Sequence, residues 1–175
     1  MTETPPRVVY DCNIYVQALI NVNGPAGRCV ETARQGKVLL FVSAFVLAEI
    51  REIHQKLSAK YGVTAEQTEE LACSVASFAN IVSDVPELYQ HPFDPDDSHY
   101  VNLAARTDSR LIVSRDRHLL NLMDNSRSES QEFQARFPSL RILDPVEFLR
   151  ELDEHPTPDP TAAQEQPERI TEQEP

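Results

Sequence analysis

The sequence predicts an α/β fold, a three-layer sandwich in which a central parallel sheet of about five strands is flanked by helices. Short, strongly apolar runs that suit buried strands alternate along the chain with longer segments whose apolar residues recur at helical spacing. Strands and helices that alternate in this way form parallel sheets, because each helix carries the chain back to the start of the next strand. The 175 residues fit one domain of ordinary size, and we find no internal repeat.

Capping residues mark the element boundaries in the first half of the chain. Gly36 closes a helix, Ser43 opens the next one, and Thr64 with Gln67 forms a capping box. The predicted elements are a strand over 7–10, helices over 14–20 and 28–35, a strand over 38–42, and helices over 43–58 and 64–80.

The second half is predicted from shorter signals. The acidic turn Asp94-Pro95-Asp96-Asp97 precedes a helix, and Leu111-Ile112-Val113 has the composition of a buried strand. Asp144 caps the last helix, with Pro145 at its first position. The remaining predicted elements are a short strand at 81–82, helical segments over 119–123 and 128–137, and a strand over 140–143.

Negative charge is concentrated at the C-terminal end. The formal net charge is -12, and residues 151–175 contribute -7 of it, from eight acidic side chains against Arg169 alone. This proline-rich segment is predicted to be disordered from about His155. We therefore divide the chain into a folded domain over 1–150 and an acidic tail over 151–175 that begins with the end of the last helix. The acidity argues against a protein that coats nucleic acid nonspecifically, but not against a nuclease that contacts phosphates through metal ions and a few arginines.

Cysteine usage and the N-terminus indicate the reducing cytoplasm. Cys12, Cys29 and Cys73 leave one cysteine unpaired in any disulfide scheme, and none forms a Cys-x-x-Cys pair. The first residues have no signal-peptide pattern, and no apolar run is long enough to cross a membrane. We expect a cytoplasmic protein with no membrane association.

Two acidic residues follow apolar strands. Asp11 comes directly after the first strand, and Asp116 follows 111–113 closely. Taken singly, each is an ordinary helix cap. Ligand sites in parallel sheets lie beyond the carboxyl ends of the strands, where the strand order reverses. If these two strands are neighbours at that point, the two carboxylates converge.

Two further acids belong to helices that begin near the same sheet edge. Glu49 lies among apolar residues of the helix after 38–42, and a buried carboxylate is costly unless it is paired or bound to metal. The alternative, a carboxylate that reaches solvent from the edge of the apolar face, is equally supported by the residues alone. Asp97 begins a helix, where the helix dipole by itself favours an acid. Capping explains each acid separately, but it does not readily explain all four in this order.

Four short motifs together resemble those of PIN-domain ribonucleases. The resemblance is closest to the group assigned as toxins of toxin–antitoxin systems, and it extends over residues 7–150. The motifs are Asp11-Cys12-Asn13, Ser43-x-x-Val46-x-x-Glu49-Ile50, Asp94-Pro95-Asp96-Asp97 and Val113-Ser114-Arg115-Asp116. One departure is Cys12, which stands where the family usually has threonine or another small polar residue.

The resemblance implies a metal-dependent endoribonuclease, a hydrolase that cuts RNA. By this resemblance, the catalytic, metal-binding acids of the family correspond to Asp11, Glu49, Asp97 and Asp116 in this chain. The polar residues that support those acids correspond to Asn13 and Ser114. Asp96 is the alternative to Asp97 as third ligand, and Asp94 shapes the turn before Pro95. The resemblance also implies an RNA substrate, a small antitoxin partner and a homodimer with a shared groove.

Charge repulsion predicts the cofactor. Two carboxylates about 4 Å apart repel by roughly 4 kcal/mol at an effective dielectric near 20, so four cannot all stay ionised without a cation. Because the pattern has no cysteine or histidine set nearby, Mg²⁺ or Mn²⁺ is favoured over zinc. Such an ion activates water for in-line attack on a phosphodiester, without a covalent enzyme intermediate. We expect Asp11 and Asp116 to hold the principal metal, and Glu49 and Asp97 to complete its shell, orient the water or hold a second ion.

The histidines are weaker site candidates than the four acids, and two alternative functions fit the sequence less well. We expect His99 and His118 to be exposed, and His91 has no ligand pattern. Another magnesium-dependent phosphotransfer enzyme is one alternative, but Asn13 replaces the second acid of a phosphatase Asp-x-Asp motif, and the lysine that a phospho-receiver needs after a late strand is missing. A catalytically silent PIN-like binding module is the other alternative, and acids at all four positions argue against it.

Overall fold

Five parallel strands form the centre of the protein in the computed structural model, which describes residues 4–154. The strands are β1 (Arg7–Tyr10), β2 (Leu39–Ser43), β3 (Asn80–Val82), β4 (Leu111–Val113) and β5 (Arg141–Leu143). They lie side by side in the order β3-β2-β1-β4-β5, and every pairing is parallel. The predicted α/β fold with a five-stranded parallel sheet is confirmed.

Eight helices lie within the described residues, of which seven connect the strands and the eighth follows β5. They are α1 (Cys12–Ile20), α2 (Pro25–Arg34), α3 (Ala44–Tyr61), α4 (Ala65–Phe78), α5 (Ser98–Arg106), α6 (Arg117–Asn121), α7 (Ser128–Arg136) and α8 (Pro145–Glu154). A 3₁₀ turn over Pro95–Asp97 leads into α5. Helix α5 packs across β1, β2 and β4, while α2 packs against both α1 and α8.

The capping signals in the sequence act as predicted. The Ser43 hydroxyl accepts a hydrogen bond from the Val46 N–H at 3.2 Å, and Thr64 and Gln67 form the reciprocal capping box of α4. Helix α2 differs from the prediction, since it begins at Pro25 rather than at residue 28. Proline suits a first helical position because the N–H that it lacks has no partner there.

The end of the central strand β1 is anchored by the buried side chain of Tyr10. Val8, Val9 and Tyr10 are all buried, and the Tyr10 hydroxyl donates to the Cys29 carbonyl oxygen at 2.8 Å. The Tyr10 ring also packs edge-on against Phe148 of α8, with 5.8 Å between the ring centroids. This anchoring fixes the end of β1, from which Asp11 follows directly.

The strand order reverses between β1 and β4, which are hydrogen-bonded neighbours. In their register Tyr10 lies beside Val113, and the Asp11 N–H donates to the Val113 carbonyl oxygen at 3.0 Å. The next residue of that segment, Ser114, donates its N–H to the Leu143 carbonyl oxygen at 3.0 Å. The residues that follow β1 and β4 are therefore side by side at the position where parallel sheets place their sites.

Two sequence predictions concern the ends of the chain. The division into a domain over 1–150 and a tail over 151–175 stays a prediction, and residues 155–175, for which we predict disorder, lie outside the described residues. Between residues 4 and 154, no helix combines the length and the apolar character that crossing a membrane requires.

Gly27→Ala should destabilise the fold. A Cβ atom at this helical position would lie 2.0 Å from the Val22 carbonyl oxygen, so the backbone would have to move. We expect the free energy of unfolding, measured by urea denaturation, to fall by about 2–3 kcal/mol.

Gly62→Ala is the matched control for this prediction. Gly62 ends α3 at φ 66° with no atom near the added Cβ, so alanine there costs only left-handed backbone strain, about 1 kcal/mol. Equal losses in the two variants would contradict the steric explanation for Gly27.

Candidate functional site

The four acids singled out in the sequence line one pocket of about 370 Å³. Asp11 follows β1, Glu49 lies in the second turn of α3, Asp97 ends the 3₁₀ turn before α5, and Asp116 follows β4. The pocket lies at the reversal of the strand order, so the topology brings together residues that are up to 105 positions apart in the chain, from Asp11 to Asp116.

Asp11 and Asp116 are linked through one buried hydroxyl group. The Ser114 hydroxyl donates to Asp11 Oδ2 at 2.5 Å, and its oxygen accepts the Asp116 N–H at 2.9 Å. The Asn13 side chain adds a second link between the two segments. Its Nδ2 atom donates to Asp11 Oδ2 at 2.5 Å, and its Oδ1 atom accepts the Arg115 N–H at 3.2 Å. Burial raises the pKa of Asp11, and the Ser114 hydrogen bond only partly offsets that rise.

Glu49 is held towards the pocket by Tyr100. The buried Tyr100 hydroxyl donates to Glu49 Oε2 at 2.7 Å and accepts the Cys12 N–H at 3.1 Å. Burial raises the pKa of the half-buried Glu49 carboxyl, and the negative charge of Asp11 raises it further. The alternative interpretation of Glu49, a carboxylate directed to solvent from the edge of the helix face, therefore does not describe this side chain.

Asp97 is the most constrained carboxylate of the pocket. The residue is only 8% exposed, and its Oδ2 atom has no hydrogen-bond partner in the part of the chain that the structure describes. Burial, followed by the charges of Asp116, Asp11 and Asp94, raises the pKa of Asp97 to about 7. Its neighbour Asp96 also lines the pocket but is exposed, so the two candidates for the third ligand differ in environment.

Asp94 shapes the turn and also approaches His118. Its Oδ1 atom accepts the Asp96 N–H at 3.1 Å, which caps the 3₁₀ turn. Its Oδ2 atom lies 3.4 Å from His118 Nδ1, which is also 3.9 Å from Asp97 Oδ2 and 3.8 Å from Asp116 Oδ1. His118 is exposed, as expected, but its imidazole faces three carboxylates. The premise that no histidine accompanies the acids is therefore wrong.

One expectation about a neighbouring aromatic side chain is also wrong. His99 is half-buried rather than exposed, and its Nε2 atom lies 2.6 Å from the hydroxyl oxygen of Ser43, the last residue of β2. The His99 ring also packs against Phe45 at the start of α3, which is 47% exposed. The packing of α5 against β2 brings His99 into these contacts.

Three residues that organise the site carried little or no signal in the sequence. His118 could have been found from its place two residues after Asp116, in the first turn of α6. Tyr100 is indistinguishable from a core tyrosine until its hydroxyl partners are known. His91 has no signal at all, although it is buried and bonded to both the acidic turn and the His118 carbonyl oxygen.

This arrangement fits a divalent cation. Several carboxylates are held close together, the pKa values of Asp11, Glu49 and Asp97 are raised, and one buried carboxylate oxygen has no partner among residues 4–154. Asp94, Asp97 and His118 offer ligand atoms that all lie within 4.8 Å of one another. Burial is the largest cause of these raised pKa values and neighbouring negative charges add to it, so a positive ion would favour the ionised carboxylates.

The chain belongs to the PIN domain family, whose model matches residues 7–118. Members of this family are typically metal-dependent nucleases, in agreement with the acidic pocket. The chain is also similar to the uncharacterized protein MJ1680 of Methanocaldococcus jannaschii. The two are 26% identical over 149 residues, which cover 84% of this chain and 92% of the relative.

Asp97→Asn should stabilise the metal-free protein in a pH-dependent way. The raised pKa means that folded Asp97 still binds its proton between about pH 4 and 7, whereas the unfolded chain has released it, so this group lowers the free energy of unfolding as the pH rises. We expect the variant to match wild type near pH 4 and to exceed it increasingly as the pH rises, by about 1–2 kcal/mol at pH 8 in EDTA.

Urea denaturation at both pH values measures this difference. Burial lowers the pKa of His91 and of His99, and both groups are shared by the two proteins, so the comparison isolates Asp97. Asp84→Asn, at an exposed position outside the pocket, should behave like wild type. A constant difference between Asp97→Asn and wild type across the pH range would show that Asp97 is not the titrating group.

Proposed function

We propose that this protein is a metal-dependent endoribonuclease that hydrolyses RNA phosphodiesters. The observation that carries the proposal is the meeting of Asp11, Glu49, Asp97 and Asp116 in one pocket at the strand-order reversal of a PIN domain. RNA as the substrate rests on the resemblance of the four motifs to those of PIN-domain ribonucleases.

Asp11 and Asp116 are proposed to hold the principal Mg²⁺ or Mn²⁺ ion. Ser114 sets the spacing of these two acids through its hydroxyl group, and Asn13 fixes the orientation of the Asp11 carboxylate. When bound, the ion lowers the pKa of a water molecule and offsets the charge that develops on the phosphate. Ligands held in place before the ion binds lose little conformational freedom on binding.

Glu49 and Asp97 are proposed to complete the ligand set or to orient the attacking water. Glu49 is suited to orienting water because Tyr100 occupies only one of its carboxylate oxygens. Asp97 contributes an oxygen that has no partner within the described residues, so it can act as a ligand without first breaking a hydrogen bond. Arg115 and Arg117, both exposed beside Asp116, are proposed to contact RNA phosphates.

The biological role is proposed to be that of a cytoplasmic toxin neutralised by a small antitoxin. This role rests on family resemblance alone, as does a homodimer with a shared groove. A small reading frame next to the gene, whose product binds this protein and inhibits cleavage, would support the toxin role. Without such a partner the toxin role would be rejected, but the nuclease chemistry would be unaffected.

Asp11→Asn should abolish RNA cleavage. The amide keeps nearly the shape of the carboxylate but removes the charge that holds the cation, so we expect at least about a 100-fold loss of activity. The assay incubates purified protein with RNA and Mn²⁺, and adding EDTA to the wild type should have the same effect.

Asp84→Asn is the control for this assay, because it removes an exposed carboxylate outside the pocket. Circular dichroism should show the same secondary structure in all three proteins. A folded Asp11→Asn variant as active as wild type would refute the assignment of the site. If the wild-type protein does not cleave RNA in the presence of Mn²⁺, the proposed ribonuclease function is refuted. A catalytically silent binding module is then favoured.

Tyr100→Phe should reduce the rate without removing a metal ligand. The variant deletes the hydroxyl that donates to Glu49 and accepts from the Cys12 N–H, while the ring still fills the core. Because groups that orient metal ligands contribute about 10–100-fold, we expect kcat to fall by about tenfold and KM for RNA to change little. A change confined to KM would mean that Tyr100 acts on substrate binding rather than on Glu49.

A further inference from the structure

His118 brings a nitrogen atom next to the acidic pocket. His118 and Asp94 do not line the pocket, but the His118 ring is close to Asp97 and Asp116, which do. Its Nδ1 atom lies 3.4 Å from Asp94 Oδ2 and 3.9 Å from Asp97 Oδ2. Two ligand atoms bound to one ion at about 2.0–2.3 Å are themselves about 3–4 Å apart. The separations in the structure therefore match a common ion without movement of the backbone.

An independent observation at the same place is the buried oxygen of Asp97. Its Oδ2 atom has no hydrogen-bond partner among residues 4–154, although the residue is only 8% exposed. Buried polar atoms nearly always have a partner, and an unpaired one calls for a ligand or an ion. This oxygen is the atom that faces His118 Nδ1.

Buried His91 holds the two halves of this arrangement together. It is 2% exposed, and its Nδ1 atom accepts the N–H groups of Phe93 and Asp94 at 3.2 Å and 3.1 Å. Its Nε2 atom then carries the proton and donates to the His118 carbonyl oxygen at 3.2 Å. The acidic turn and the start of α6 are thus fixed relative to each other by a side chain that lies outside the ligand set.

We infer that Asp94, Asp97 and His118 form a mixed nitrogen–oxygen subsite that binds Mn²⁺ in preference to Mg²⁺. Imidazole is a good ligand for transition-metal ions, whereas Mg²⁺ binds almost only to oxygen and keeps several waters. The subsite adjoins the acidic pocket, because Asp97 belongs to both and the Oδ1 atom of Asp116 is 3.8 Å from His118 Nδ1. The inference rests on the proposed function, which it deepens by naming the ion that this chain selects.

His118→Ala tests the inference by metal binding without RNA. Calorimetric titration of the full chain with Mn²⁺ and, separately, with Mg²⁺ should show that the variant loses at least about tenfold in Mn²⁺ affinity and less than about threefold in Mg²⁺ affinity. Pulsed electron paramagnetic resonance of bound Mn²⁺ should show coupling to an imidazole nitrogen in wild type, and this coupling should be absent from the variant.

Two further variants sharpen the test. Asp94→Asn keeps the side-chain oxygen that caps the 3₁₀ turn but removes the charged ligand, so it should also lose Mn²⁺ affinity while remaining folded. His54→Ala removes a histidine that bonds the Arg51 carbonyl oxygen on α3 and is not part of the cluster of Asp94, Asp97 and His118, so it should bind both ions as wild type does.

A positively charged His118 that only pairs with the acids predicts the opposite result. Removing such a charge would strengthen the binding of both cations, or leave it unchanged, because a competitor for the carboxylates would be gone. Equal effects on Mn²⁺ and Mg²⁺, tighter binding by the variant, or wild-type spectra without nitrogen coupling would each overturn the inference. If the wild type does not cleave RNA, the proposed function is rejected. The metal-binding results then still decide whether His118 is a ligand.

Discussion

The burial of several negative charges in one pocket is the constraint on which the rest of this structure depends. Asp11, Glu49, Asp97 and Asp116 line that pocket, and burial first, then the neighbouring negative charges, raises the pKa of Asp11, Glu49 and Asp97. The fold offsets part of the cost of this burial with hydrogen bonds at Asp11 and Glu49 but leaves the buried oxygen of Asp97 without a partner within residues 4–154. A folded chain keeps such an unfavourable arrangement only where a function requires it.

The fold was predictable because its signals are local. Ser43, Thr64 and Gln67 are capping residues whose hydrogen bonds span three positions, and apolar runs are sufficient to identify buried strands. The convergence of Asp11 with Asp116 followed from a general rule about parallel sheets, provided that β1 and β4 are neighbours, as they are. The side-chain environments were not predictable in this way, because each depends on elements that are distant in the chain. The environment of His99 depends on α5 packing over β2, and the role of Tyr100 depends on Glu49, 51 residues earlier.

Hydrogen bonds from residues outside the acidic set define the geometry of the site. Ser114 couples two acids through one oxygen, and Tyr100 couples Glu49 to the start of α1. His91 couples the acidic turn to α6. Each link joins two segments that carry acids, so the segments are fixed relative to one another, although the Oδ2 atom of Asp97 has no hydrogen-bond partner among residues 4–154. A sequence motif names the acids but contains none of these cross-connections, and for that reason the presence of a motif alone does not define a working centre.

Cys12 is the departure from the family pattern, and its surroundings determine its chemistry. Burial, together with the charges of Glu49 and Asp11, raises the pKa of the Cys12 thiol to about 12. Sulfur reacts with electrophiles and binds soft metals as the thiolate, which is scarcely populated here at neutral pH. Burial and the carboxylates that attract a hard cation therefore keep the Cys12 thiol protonated, so alkylating agents, which need the thiolate, react slowly at this position.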